Sequence, residues 1–178
     1  MEGRSHDDET EEREMDDVET GDLFEMLKTD HRLVQDLFTR FEDADKRTRA
    51  SIAEQTLTAL EVHTALEEEL VYPAISKVIE DKEMVNEARE EHHVAKLLIK
   101  ELHKMDAGDE AFATKFKVLG ELVGHHIEEE EGEIFPQAEE AGFEPERLFE
   151  DVSKRKAKLM QKHEGGKKPS ASRRKKAA

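Results

Sequence analysis

The chain has 178 residues, enough for one domain with one sizeable core, and its 45 acidic against 28 basic residues give a formal net charge of -17. It contains no cysteine, which excludes a disulfide framework, a zinc finger and a cysteine-ligated iron–sulfur cluster and leaves His and carboxylates as the strong metal ligands. No apolar run reaches the ~18 residues of a membrane span, and the acidic N-terminus lacks the basic and apolar regions of a secretory signal, so a cytoplasmic protein without membrane contact is expected.

The charge is unevenly spread. Residues 1–19 carry ten acids and two bases, whereas residues 154–178 carry eleven bases and one acid. Neither end has enough apolar side chains to offset the entropy of ordering. This composition predicts an acidic disordered tail over 1–19, a folded region over 20–163 and a basic disordered tail over 164–178.

Within the folded region, Phe24, Leu27, His31, Val34, Phe38 and Phe41 recur at steps of three and four. They form one stripe of an amphipathic helix, with Asp22 placed as its N-cap. The second helix repeats the stripe with Ile52, Thr56, Ala59, His63, Leu66 and Leu70, and Pro73 is expected to kink or end it near Tyr72, with Ala74 to Ile79 able to continue helical beyond it. The third reads Val85, Ala88, His92, Ala95, Ile99 and Leu102, which turns the adjacent His93 ~100° away from the stripe. Asp106-Ala107-Gly108-Asp109 then reads as a stop and a new cap. The fourth helix carries Phe112, Phe116, Leu119, Val123, His126 and Glu130, while Gly120 and Gly124 face elsewhere and suggest close packing or a bend. Gly142 and Pro145 open a last helix through about residue 163, with Leu148, Phe149, Val152 and Leu159 as its apolar side. Long helices joined by short polar turns predict an all-α, up-down antiparallel four-helix bundle with an extra C-terminal helix. Each His lies near the middle of its helix, so antiparallel packing brings all four to one level.

Two segments repeat. Val62-His63-Thr64-Ala65-Leu66-Glu67-Glu68-Glu69-Leu70-Val71-Tyr72-Pro73 aligns with His125-His126-Ile127-Glu128-Glu129-Glu130-Glu131-Gly132-Glu133-Ile134-Phe135-Pro136, and Asp30-His31 with Glu91-His92. Each long copy holds a His and a Glu four residues apart, hence on one helical face. Burying four imidazoles and two carboxylates without partners costs several kcal/mol per charged group, about what a marginally stable domain has in total. A pair of divalent cations removes the conflict. Four His and two Glu exceed one tetrahedral zinc but suit two metals, each with two His, bridged by both carboxylates. Such pairs in a bundle core are typical of iron or manganese. The other acids of the two runs, Glu68, Glu69, Glu128, Glu129 and Glu131, read as a solvated face, with the alternative that one of them partners a ligand from outside or admits iron. Tyr72 reads as core or surface packing, since by spacing it points away from the His63 face, with an electron relay near an oxidising metal as the alternative. The basic tail lacks aromatic residues and any nucleic-acid-binding fold around it, so no specific nucleic-acid partner is expected.

His31, His63-x-x-x-Glu67, His92 and His126-x-x-x-Glu130, with Tyr72-Pro73 and Phe135-Pro136 closing the halves, resemble the hemerythrin-like, or HHE cation-binding, domain over about residues 22–140. The resemblance implies a four-helix bundle around a non-haem di-iron centre, two Fe ions with an oxo or hydroxo bridge, held by His31, His63, Glu67, His92, His126 and Glu130. Manganese and zinc are the alternative metals. The sequence departs from the oxygen-carrying hemerythrins, which resemble it but take a fifth His from a His-x-x-x-His pair on the third helix. Here neither Ala88 nor Lys96 is His, and a fifth nitrogen ligand has to come from His93 or His125. The functions implied are binding or sensing of O2, NO, peroxide or iron and redox state, or a di-iron enzyme with catalase-like or ferroxidase activity in stress or iron handling. A structural bundle with a pH-sensitive His core is the third alternative. A monomer or weak homodimer is expected.

Overall fold

The Asp22 carboxylate accepts hydrogen bonds from the backbone N–H groups of Phe24 (2.9 Å) and Glu25 (3.3 Å) and so starts α1, Leu23–Asp43, where the sequence places it. The structure, a computed structural model, describes residues 21–165. The acidic tail over 1–19 lies outside the described residues, as does the basic tail beyond 165; residues 164 and 165 complete the last helix. Asp45 caps α2, Lys46–Leu66, in the same way through Arg47 and Thr48.

Pro73 does not end the second rod. After Leu66 the backbone widens into a π-helical segment, Glu67–Val71, and then resumes as α3, Tyr72–Ile75. The Tyr72 N–H reaches back five residues to the Glu67 carbonyl. The wider turn relieves the clash that a proline ring makes with the carbonyl four residues before it, so the rod passes through Pro73 instead of breaking. The second half repeats the device: α4, Glu83–Leu102, leads to α5, Glu110–Glu129, which passes through a second π segment, Glu130–Ile134, into α6, Phe135–Glu140, across Pro136. Gly142, in the left-handed region at φ 84°, turns the chain toward α7, Glu146–Gly165. Among the described residues there is no strand.

The start of α1 packs on the end of the second rod and the start of α4 on the end of the fourth, which makes the bundle antiparallel. Leu23, Phe24, Leu27, Leu66, Val71, Val85, Ile134 and Phe135 fill one half of the core, with Val152 and Leu159 of α7 covering that end. Val34, Phe41, Leu57, Leu60, Ile99, Phe112, Phe116 and Leu119 fill the other. Between the two lies the polar layer of four His and two Glu, all buried. Gly120 serves close packing, since a Cβ there would stand 3.0 Å from the Phe38 ring. No described helix is long and apolar enough to cross a membrane.

Candidate metal centre

The six predicted donors come together. His31 of α1 and His63 of α2 bring their Nε2 atoms to 3.0 Å, and His92 of α4 and His126 of α5 do the same at 3.0 Å. Two carboxylates join the pairs. Glu67 places Oε1 3.0 Å from His63 Nε2 and Oε2 3.3 Å from His92 Nε2. Glu130 places Oε2 3.3 Å from His31 Nε2 and 3.8 Å from His126 Nε2. Ligating atoms of His31, His63, Glu67 and Glu130 all lie within 4.8 Å of one another, as do those of Glu67, His92 and His126.

Both carboxylates open a π segment, so each stands where the helix changes pitch. Neither is exposed at all, and none of their four oxygens has a hydrogen-bond partner of good geometry. A buried carboxylate in that state costs several kcal/mol, whereas cations held by the imidazole pairs would meet both oxygens of Glu67 and Oε2 of Glu130. The donors present therefore fit a metal site.

The protonation pattern is that of a site made for positive charge. Burial alone would lower the His63 pKa, but the Glu67 charge, Asp30 and Glu130 outweigh it and raise it to about 10. Burial would raise Glu67, yet the nearby His63, followed by His92, holds it well below the usual carboxylate range. His126 is raised in the same sense against its burial, chiefly by Glu91 and then by Glu130. Without metal, protons on His63 and His126 take the place of the cation.

On the far side of each ring sits another carboxylate. His31 Nδ1 donates to Glu131 Oε1 at 2.6 Å and His126 Nδ1 to Glu91 Oε2 at 2.8 Å. His63 Nδ1 faces Asp30 Oδ2 at 3.6 Å and His92 Nδ1 faces Glu68 Oε1 at 3.4 Å, ion-pair distances without a closed hydrogen bond. Carboxylates in this position fix the tautomer that directs Nε2 at a metal. Glu68 and Glu131 are thus not part of a solvated run, although Glu69 does lie on the surface, paired with Arg155. The sequence carried a signal for two of these partners, because Asp30 and Glu91 precede His31 and His92 in the shorter repeat.

The family that the sequence resembles is then decided by one comparison. A family model for the hemerythrin HHE cation-binding domain matches residues 22–138. The chain belongs to this family. A solved structure of a hemerythrin HHE cation-binding domain-containing protein from Mycobacterium kansasii is similar in fold, with a TM-score of 0.66, 21% identity, and coverage of 82% of this chain and 89% of that one. No curated protein matched.

In this HHE domain the largest departure from the sequence expectation is Tyr72. Nine residues at ~100° each set it opposite His63, but the π turn takes up one extra residue and rotates it back by ~100°. Its side chain is fully buried, with the hydroxyl 3.4 Å from His126 Nε2 and the ring 5.5 Å from that of His92. Burial, and then the charges of Glu67 and Glu130, raise its pKa well above the usual phenol value, so it stays neutral. The equivalent position in the second half is Phe135, parallel to His31 at 6.3 Å between ring centroids. Neither proposed fifth nitrogen enters the site: His93 is exposed, and His125, 61% exposed at its side chain, turns to Glu129. His103 pairs with Glu61 at the surface.

Proposed function

We propose that this protein is a non-haem di-iron protein that binds or senses O2, NO or peroxide, or reports iron and redox state through the same site. His31 and His63 hold one ion, His92 and His126 the other, and Glu67 and Glu130 span both; manganese and zinc are the alternatives. The observation that carries the reading is the pair of imidazole pairs joined by two buried carboxylates with no other partner. Bound iron supplies reversible redox chemistry and an open coordination position. The charge pattern supports a cytoplasmic monomer or weak homodimer that uses neither membrane nor specific nucleic acid.

The chain sets what can reach the ions. A cavity of about 20 Å³ adjoins the four imidazoles, walled by Val34, Leu60, Ala95, Val123 and Ile127. That is room for one molecule the size of water, O2 or peroxide, and it excludes an organic substrate. Its walls, aliphatic apart from Asp30, Thr64, Glu91 and the imidazoles, favour an uncharged diatomic over an anion. The test is metal content per chain after anaerobic ferrous loading, followed by the optical response to O2, NO and peroxide. About two irons per chain and a reversible spectral change are expected. Less than one metal per chain in a protein that stays helical would overturn the reading.

Tyr72 favours a second reading, an enzyme that disproportionates peroxide or oxidises ferrous iron. A buried neutral phenol beside His126 can donate a proton, or an electron with its proton, on one side of the site. This reading expects many turnovers of peroxide per chain, lost in His63→Ala and Glu130→Ala, and unchanged rates in either variant would remove it.

A further inference from the structure

The four outer carboxylates are not held alike. Glu131 and Glu91 close short hydrogen bonds on His31 and His126. Asp30 and Glu68 stand back from His63 and His92, and each is clasped by a lysine. Lys96 Nζ reaches the two oxygens of Glu68 at 2.6 and 2.8 Å, and Lys156 Nζ those of Asp30 at 2.6 and 2.7 Å. Lys96 lies on α4, one turn from His92. Lys156 lies on α7, beyond the residues that the family model matches.

We infer that Lys156 is a positioning residue for the metal position of His31 and His63, acting through Asp30 on the His63 ring. The inference rests on the two-metal reading. An imidazole that gives Nε2 to a cation carries its proton on Nδ1, and the carboxylate facing His63 Nδ1 is Asp30. A lone aspartate there can rotate toward water; with Lys156 on both oxygens its plane is fixed. The lysine itself is held in place because α7 docks through Val152 and Leu159 in the core; the bidentate pair between Arg155 and Glu69 of the π segment lies at the exposed surface and adds little to that docking. The C-terminal helix thus reaches one of the two metal positions and not the other.

The test titrates the metal-free protein with Co2+ under anaerobic conditions, following visible absorption and resolving the two binding steps. Lys156→Met is expected to weaken one step about 10-fold and leave the other in place, the low end of what loss of an outer partner costs. Lys156→Arg, which keeps the clasp, restores the wild-type titration. Asp30→Asn weakens the same step, and adding Lys156→Met to it changes the affinity less than about 2-fold, since coupled residues are non-additive. Arg155→Gln, which removes an exposed pair of α7 without touching Asp30 or the buried Val152 and Leu159, leaves both steps unchanged. Wild-type affinities in Lys156→Met overturn the inference, and so does an equal loss in Arg155→Gln or a full further loss in the Asp30→Asn background, either of which makes the effect one of helix docking. Should Lys156→Met lose helicity, Lys156→Arg against Asp30→Asn decides the same point. A wild-type chain that takes up no Co2+ removes the two-metal reading itself.

Discussion

The two halves of the bundle use the same backbone and the same ligands, yet they surround the site differently. In each, an outer acid and a His lie on the first helix, a His-x-x-x-Glu on the second, and a π turn starts at that Glu. One half then turns Tyr72 toward His92 and His126; the other turns Phe135 toward His31. In one half α7 clasps Asp30 through Lys156, while Glu91 in the other has His125 at 4.0 Å. The repeat lays out two matching sets of donors, and the residues around them make the two sets unequal.

The largest effect should come from removing what the halves share. Glu67 approaches imidazoles of both pairs, so Glu67→Ala is expected to lose both metals, whereas His31→Ala, whose Nε2 belongs to one pair, should lose one. Elemental analysis after ferrous loading separates these outcomes, and equal losses in the two variants would contradict the assignment of Glu67 to both positions.

The pH dependence separates metal-free from loaded protein. His63 is raised in the folded, metal-free chain from 6.5 to about 10, so its contribution to stability is complete below 6.5 and is lost as pH rises through about 10. Glu67 is lowered, so its contribution is present above 4.5 and is lost as pH falls through its lower folded value. The melting temperature of metal-free protein should therefore be highest between these values and decline toward pH 10. Metal affinity should rise over that alkaline interval, because the ion must displace the proton on His63. A metal-free melting temperature that climbs from pH 7 to 10 would contradict the raised His63.

Making the halves alike at the π turn is a finer test. Tyr72→Phe keeps the ring and removes the hydroxyl, so metal content should stay the same and stability should shift by about 1 kcal/mol. The visible spectrum of the loaded protein should change, and a spectrum identical to wild type would mean that the hydroxyl does not influence the ions. The smallest effect lies in the packing that both halves rest on. Gly124→Ala enters open space and should stabilise the fold by about 1 kcal/mol in denaturant unfolding, while Gly120→Ala gains less because its Cβ meets Phe38.

Much of this architecture is written locally. The stripes that include His31, His63, His92 and His126 recur at steps of three and four, and that periodicity alone specifies four helices with one His each at mid-length. Asp22 and Asp45 are caps because their short carboxylates reach the first free N–H groups. The His-x-x-x-Glu spacing puts Glu67 and Glu130 beside their own His, whatever the rest of the chain does.

What the sequence by itself determined, then, is the helices and the faces that carry the six candidate donors, from intervals of three or four residues within one helix, and the antiparallel bundle, from the short turns that join those helices. Only the tertiary structure decided the surroundings of those donors. Tyr72 faces the site because a π turn shifts the helical phase by one residue, and a periodicity read at ~3.6 residues per turn cannot register that shift. Glu68 reaches His92, Glu131 reaches His31 and Lys156 reaches Asp30 across helices 24, 100 and 126 residues away in sequence. Such contacts depend on how one packed helix is rotated against another, a quantity that the whole core sets and no single segment records.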